Sequence, residues 1–244
     1  MPRSALRGRL ASGVTVIILH QIEISPFCEK VRRLLHFKGR PYETREVPPT
    51  ETLVRIGRLD PVGKVPVIEH EGNVIGDSSQ IARYLERRFP EPPLWPSDPR
   101  ERAMTSLLED WADESLYFYE LFFRFGLKEN APEFSERTSR SEPPLLRRAT
   151  ERALPTFMRN VLRAQGLGRK PPERVVNDFS ELLRSLSDLI GERSFLVNEQ
   201  VTLADIAVYA QLACACDTGE GAAVLAEHPV LLKWMERVNE ATLG

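Results

Sequence analysis

Ser25-Pro26-Phe27-Cys28 is the stretch of this sequence whose residue types and setting could do chemistry. An apolar run, Val14 to Leu19, leads into it, and apolar residues at Phe27, Val31, Leu34 and Leu35 follow. That spacing lines one face of a helix, and the run before it reads as a buried strand. Ser25 therefore falls where a strand ends and a helix begins, with Pro26 pre-set for the first turn. Unpaired backbone N–H groups and the positive end of the helix dipole meet there, which favours a thiolate or another anion. A serine in that place can serve chemistry, and it is equally an ordinary N-cap. Cys28 has two readings as well: a reactive thiol, or a small hydrophobe partly buried on the helix.

The elements that must hold these residues follow from pattern. Residues 14–21 read as the first strand and 26–38 as a helix, stopped by Gly39 and Pro41. Tyr42 to Val47 is a second strand, joined to the first by a right-handed crossover that makes the two parallel. A short helix covers 51–58 and is broken by Leu59-Asp60-Pro61-Val62-Gly63. Lys64-Val65-Pro66-Val67-Ile68-Glu69-His70 is a strand entered through a proline, which cannot donate to a ladder and so belongs at a strand's start or edge. Glu71-Gly72-Asn73 turns the chain into a fourth, antiparallel strand at Val74-Ile75. Asp77-Ser78-Ser79-Gln80 has the pattern of a helix cap, and the helix beyond it buries Ile81, Tyr84, Leu85 and Phe89.

Pro90-Glu91-Pro92-Pro93-Leu94-Trp95-Pro96 marks a linker, after which strand signals stop. A helix opens at Asp98-Pro99-Arg100-Glu101, with Met104, Leu107, Leu108, Trp111 and Phe118 on its apolar face. Six of the nineteen aromatic residues lie between Tyr117 and Phe125, as core or as pocket lining. Residues 127–143 read as an exposed polar loop, and Pro155 reads as an interruption of a helix over 145–162. Val175 to Ile190 is a strongly amphipathic helix ended by Gly191. Thr202-Leu203-Ala204-Asp205 is a further cap with Val201 and Ile206 as its staple, and a last helix carries Leu231, Leu232, Trp234, Met235 and Val238. The expected architecture is α/β plus all-α: a small α/β domain over 14–89, then an all-helical domain over 98–244.

Composition narrows the function. The 244 residues carry a formal net charge of −2 and no long basic block, which gives nucleic-acid binding no electrostatic support. No apolar run approaches the roughly 20 residues of a membrane-spanning helix. Residues 1–13 hold Arg3, Arg7 and Arg9 without a secretory apolar core, and read as a loose extension on a cytoplasmic protein. Three cysteines argue against a disulfide framework, and the four histidines show no metal-ligand spacing, so no metal is expected.

Taken in order, Ser25 to Cys28, Val65-Pro66, Asp77-Ser78 and the cap Thr202 to Asp205 resemble the cytosolic glutathione transferase superfamily, from Val14 to about Val238. The resemblance implies a thioredoxin-like first domain and a helical-bundle second domain walling the acceptor pocket. It implies glutathione as co-substrate and a cis bond before Pro66, with the Val65 backbone pairing the cysteinyl part of glutathione. Asp77 and Ser78 match the pair that holds the γ-glutamyl end, Lys64 is placed for the glycyl carboxylate, and Phe27 matches a residue that touches glutathione. Ser25 aligns with the position that varies between classes; serine there resembles the theta-, phi- and zeta-like pattern, a donor to the glutathione sulfur. Asn198 stands where the family often has glycine, and the segment from about Leu127 to Arg174 is longer than usual.

The resemblance leaves three readings of function. One is a transferase joining glutathione to a small apolar electrophile, active as a homodimer. Another is a glutathione-dependent reductase or peroxidase working through Cys28. The third is a non-catalytic interaction protein that kept the fold.

Overall fold

A computed structural model describes residues 15–243 of the chain; the extension read at 1–13 lies outside the described residues. Four strands, β1 (Ile17–Gln21), β2 (Tyr42–Glu46), β3 (Val67–His70) and β4 (Asn73–Gly76), form one sheet in the order β2-β1-β3-β4. β1 runs parallel to β2, with Ile17 opposite Tyr42, and antiparallel to β3, with His20 opposite Val67. β3 and β4 are antiparallel, with Val67 opposite Gly76. This register brings the exit of β1, the entry of β3 and the exit of β4 to one end of the sheet. It is the end at which α1 (Pro26–Phe37) and α3 (Ser78–Arg88) begin.

Both helices cover one sheet face, where Ile17, Leu19 and Ile68 meet Val31, Leu34, Leu35, Ile81 and Leu85. On the other face Val47, Ile56 and Val67 gather with Val65. The expected helix over 51–58 is instead a single α-helical turn, α2 (Thr52–Arg55), between two 3₁₀ turns. Thioredoxin-like is the right description of this sheet and its helices.

Among the described residues, every regular element after the linker is helical. α4 (Pro99–Trp111) continues without a break through a π-helical turn (Ala112–Leu116), α5 (Tyr117–Leu121) and a second π-helical turn (Phe122–Gly126). Such turns shift the facing of the side chains beyond them and recur at functional sites. α6 (Ala131–Thr138), α7 (Pro144–Gln165), α8 (Pro172–Ile190), α9 (Leu203–Ala215), α10 (Gly219–Ala226) and α11 (Pro229–Leu243) follow. α9 is buried on all sides and forms the core against which α1, α4 and α11 pack. Its capping box closes on Asp205, whose carboxylate receives Thr202 N–H and hydroxyl, Leu196 N–H and the Trp234 indole N–H at 2.8–2.9 Å.

Two expectations fail here. The segment 127–143 is not an exposed loop: it contains α6 and buries Ala131, Phe134, Ser135, Thr138, Ser139 and Glu142. Its polar look is misleading because Ser135, Thr138 and Ser139 hydroxyls each donate to a carbonyl four residues back, which lets them be buried at little cost. Pro155 does not interrupt its helix. α7 runs through it, held by Leu154 and Leu162 in a core shared with α5, the second π-helical turn and α6, and tertiary packing outweighs the roughly 3 kcal/mol that an interior proline costs.

Candidate functional site

Ser25 caps α1 from an extended backbone, φ −72° and ψ 128°, and its Oγ accepts the Cys28 N–H at 3.4 Å. That long bond uses an oxygen lone pair and leaves the hydroxyl proton to donate. The residue is half-buried. Cys28, one helical turn on, has no exposed surface. Burial pushes its thiol up to about 11, against weaker opposite pulls from a bond to Ile22, the Ser25 hydroxyl and the Arg32 charge. At neutral pH only about one molecule in 10⁴ would carry that thiolate.

The other predicted residues surround the same end of the sheet. The Val65–Pro66 bond is cis. Val65 is half-buried against Val47 and Ile56, Pro66 is buried, and Lys64 beside them is exposed. Asp77 adopts φ +66°, caps α3 by accepting Ser79 and Gln80 N–H at 3.1 and 3.0 Å, and is itself exposed. Ser78 is the first residue of α3; it is buried, with its hydroxyl 3.4 Å from Asp113 Oδ2. Phe27 stands at the seam with the helical domain, its ring 5.0 Å from that of Tyr117, which in turn lies 5.2 Å from Phe118. Of the aromatic run, Tyr117, Phe118 and Tyr119 are half-buried, whereas Phe122, Phe123 and Phe125 are core.

Sequence reasoning missed the charges behind these residues. Lys30 is 1% exposed and its Nζ lies 2.6 Å from both Glu109 Oε1 and Asp113 Oδ2. Ser79 donates to Glu109, so α1, α3 and α4 are joined through one polar cluster. Burial raises the Asp113 carboxyl above its ordinary range, opposed by Lys30. A signal existed: Lys30 sits between Phe27, Val31 and Leu34 on the apolar face of α1, where an unpaired ammonium would be very costly. Arg124 is likewise buried, within the otherwise aromatic run Phe122 to Phe125. Spacing could suggest the pair Glu120 and Arg124, four residues apart, but the partners that Lys30 and Arg124 find across the domain seam are distant in sequence and no local pattern points to them.

A cavity of about 280 Å³ opens beside Phe118 and Tyr119, walled on its far side by Gln165, Leu167 and Lys170. A second, of about 440 Å³, lies behind the Ser25 turn between Arg32, Arg124 and Asp217. Among the described residues, no three or more His, Cys, Asp or Glu side chains are grouped to hold a metal ion, and no helix is long and apolar enough to cross a membrane.

Comparison with known proteins places this geometry. Residues 19–93 match the family described as "Glutathione S-transferase, N-terminal domain", and residues 179–238 match "Glutathione S-transferase, C-terminal domain". The isoprene-epoxide–glutathione S-transferase of Rhodococcus sp. strain AD45 is 24% identical over 230 residues, covering 89% of this chain and 92% of that one. Protein LigF of Sphingobium sp. is 29% identical over 200 residues, covering 75% of this chain and 72% of its own. Among solved structures, a glutathione S-transferase from Rhodospirillum rubrum F11 superposes with a TM-score of 0.63 at 25% identity, covering 92% of this chain and 88% of that one.

Proposed function

Because the chain belongs to the glutathione S-transferase superfamily, we propose that it conjugates glutathione to small apolar electrophiles, with Ser25 stabilising the glutathione thiolate. The observation that supports this most is the sheet register, through which Ser25, Val65 and Ser78 share one end of the sheet beside two helix N-termini. In this reading residues 14–89 bind glutathione and residues 98–244 wall the acceptor pocket. The Val65 backbone pairs the cysteinyl unit as an added strand would. Asp77, Ser78 and the start of α3 take the γ-glutamyl end, Lys64 takes the glycyl carboxylate, and Phe27 packs against the tripeptide.

The chemistry asked of Ser25 is modest. A thiol of ordinary pKa near 8.5 is only about 3% thiolate at pH 7. A hydroxyl donor and the positive end of α1 stabilise the anion, lower that pKa and leave the sulfur free to attack. The thiol proton passes to solvent, a carbon–sulfur bond forms, and the electrophile's leaving group departs or its ring opens. Tyr117 and Phe118, half-buried beside Phe27, suit an apolar acceptor. The relative's epoxide fits that class. Met104 and Leu107, exposed on α4, suit the homodimer expected of a cytoplasmic member.

Burial weighs against thiol chemistry at Cys28. The test is the pH–rate profile of Ser25→Ala and Cys28→Ala beside wild type, with glutathione binding measured in parallel. Ser25→Ala should lose roughly 10²–10⁴-fold in conjugation near neutrality, with a loss that shrinks as pH rises and free thiolate becomes plentiful. Glutathione affinity should change little. Full activity of Ser25→Ala below neutrality, with activity abolished in Cys28→Ala, would transfer the chemistry to the cysteine. Glutathione retention without turnover of any electrophile, disulfide or peroxide would leave a binding protein that kept the fold.

A further inference from the structure

The turn that delivers Ser25 is held by two arginines, one of which belongs to the other domain. Arg32, on α1, donates from Nη2 to the Glu23 carbonyl at 2.8 Å. Arg124, in the second π-helical turn after α5, donates from Nη1 to the Ile24 carbonyl at 2.6 Å. Arg124 is 3% exposed and fixed on every side. Its Nε donates to the Cys214 carbonyl at 3.1 Å, Nη1 also meets Glu120 at 2.8 Å, and Nη2 lies 3.7 Å from Asp217. Its guanidinium also stacks on the Phe134 ring, 4.9 Å from the centroid.

The Ile24 carbonyl shares a rigid peptide plane with the Ser25 nitrogen. Tilting that plane turns the Ser25 Cα–Cβ bond and moves the hydroxyl. The Ser25 N–H is held too, by the Ile22 carbonyl at 3.0 Å, so the plane is pinned at both its polar atoms. Of these two contacts, the one to Arg124 comes from the helical domain and from a charged, preorganised donor.

We propose that Arg124 is a positioning residue that sets the direction of the Ser25 hydroxyl, so that thiol activation depends on the docked helical domain. The inference rests on the serine reading above and adds a second site of control to it. Arg124 lies behind the turn and acts through the backbone, so losing it should affect the thiolate more than the binding of the peptide. A donor displaced by about 1 Å costs roughly 10²-fold in favourable cases.

The experiment uses Arg124→Lys, the double variant Glu120→Gln/Arg124→Met, which leaves no unpaired carboxylate, and Ser25→Ala in both backgrounds. Ultraviolet titration of the glutathione thiolate bound to each protein gives its pKa, and steady-state kinetics give kcat and KM. The Glu120→Gln/Arg124→Met protein should show a raised bound-thiol pKa, a kcat lower by roughly 10- to 100-fold, and a glutathione KM within about twofold of wild type. Arg124→Lys, which keeps one donor to Ile24, should recover part of both losses. Adding Ser25→Ala to Glu120→Gln/Arg124→Met should cost little more than Ser25→Ala alone, since both act on one donor. Losses that multiply overturn the proposal, as does an unchanged thiol pKa in a folded Arg124→Lys or Glu120→Gln/Arg124→Met protein. If Ser25→Ala itself is fully active, the serine reading falls first and carries the positioning role with it. A defective Ser25→Ala beside normal Arg124 variants rejects the positioning role alone.

Discussion

The two helices that start at the Ser25 end of the sheet, α1 at Pro26 and α3 at Ser78, are both tied at their starts to the helical domain, by opposite means. At the start of α3 the tie is made of side chains: Ser78 and Ser79, with Lys30 reaching across from α1, meet Glu109 and Asp113 in a nearly dry cluster. At the turn into α1 the tie is made to backbone: Arg124 of the helical domain reaches the Ile24 carbonyl, next to the Glu23 carbonyl that Arg32 of α1 itself holds. A cluster of buried charges fixes where a helix end sits but tolerates little change of its own members. A donor on a carbonyl fixes one peptide plane and leaves the adjoining side chain free. Under the proposed function, the first arrangement suits the end that would hold glutathione, and the second suits the end that would aim the Ser25 hydroxyl.

The largest effect should come from breaking the first tie. Lys30→Met removes the ammonium that neutralises Glu109 and Asp113, and removal of one partner from a buried ion pair costs about 3–5 kcal/mol. The denaturation midpoint should fall accordingly, and glutathione affinity should fall with it because Ser78 and Ser79 lose their fixed setting. The kcat at saturating glutathione should fall far less. A Lys30→Met protein with normal affinity and a collapsed kcat would reverse the roles assigned to the two helix ends.

A third contact between the domains sharpens the comparison with a smaller effect. Glu142, 2% exposed, takes the Thr50 N–H and hydroxyl at 2.8 and 2.7 Å and so ties the start of the α2 region to the segment after α6. Thr50→Val keeps the backbone bond and deletes the hydroxyl bond to a carboxylate. It should lower stability by about 1–2 kcal/mol, read from the denaturant midpoint, without moving the bound-thiol pKa. A shift in that pKa would mean that the α2 side also aims Ser25, and the division between the helix ends would be less clean.

What was legible in the sequence follows the range of the interactions. Ser25, Pro66, Asp77 and Asp205 announce themselves because strand-to-helix turns, proline at a strand's entry and helix caps act within four residues of chain. The parallel pairing of β1 with β2, the antiparallel turn from β3 to β4 and the helical second domain followed from those signals and from periodicity, whereas the thioredoxin-like sheet was implied by the family resemblance alone. Lys30 with Asp113 and Arg124 with Ile24 are separated by 83 and 100 residues, and no local pattern pairs them. The segment 127–143 misled for a different reason. Its serine and threonine hydroxyls satisfy themselves on their own helix, so residues that looked solvated are buried; the spacing of Ala131, Phe134 and Thr138 was the signal available.

The smallest predicted effect isolates the charge at the α1 end. Glu120 is 2% exposed and pairs with Arg124 at 2.8 Å, yet burial outweighs the arginine and pushes its carboxyl up to about 7. Asp217 adds to the rise. An acid whose pKa is higher folded than unfolded keeps a proton in the native state that the unfolded chain has already released. Its contribution is therefore fully present below the ordinary glutamate range and is lost as pH rises toward about 7. Glu120→Gln cannot titrate, so it should abolish this part of the decline. Between the ordinary glutamate range and neutrality, its denaturation midpoint should fall less steeply with pH than that of wild type. Arg124 stays charged and still bonded to Ile24, so kcat should change by no more than about twofold, since an intact donor leaves the geometry of the site in place. Parallel midpoint–pH curves for the two proteins would show that Glu120 is ionised throughout. A large loss of kcat would show that the ion pair itself, and not the hydrogen bond to the Ile24 carbonyl, is what holds the turn.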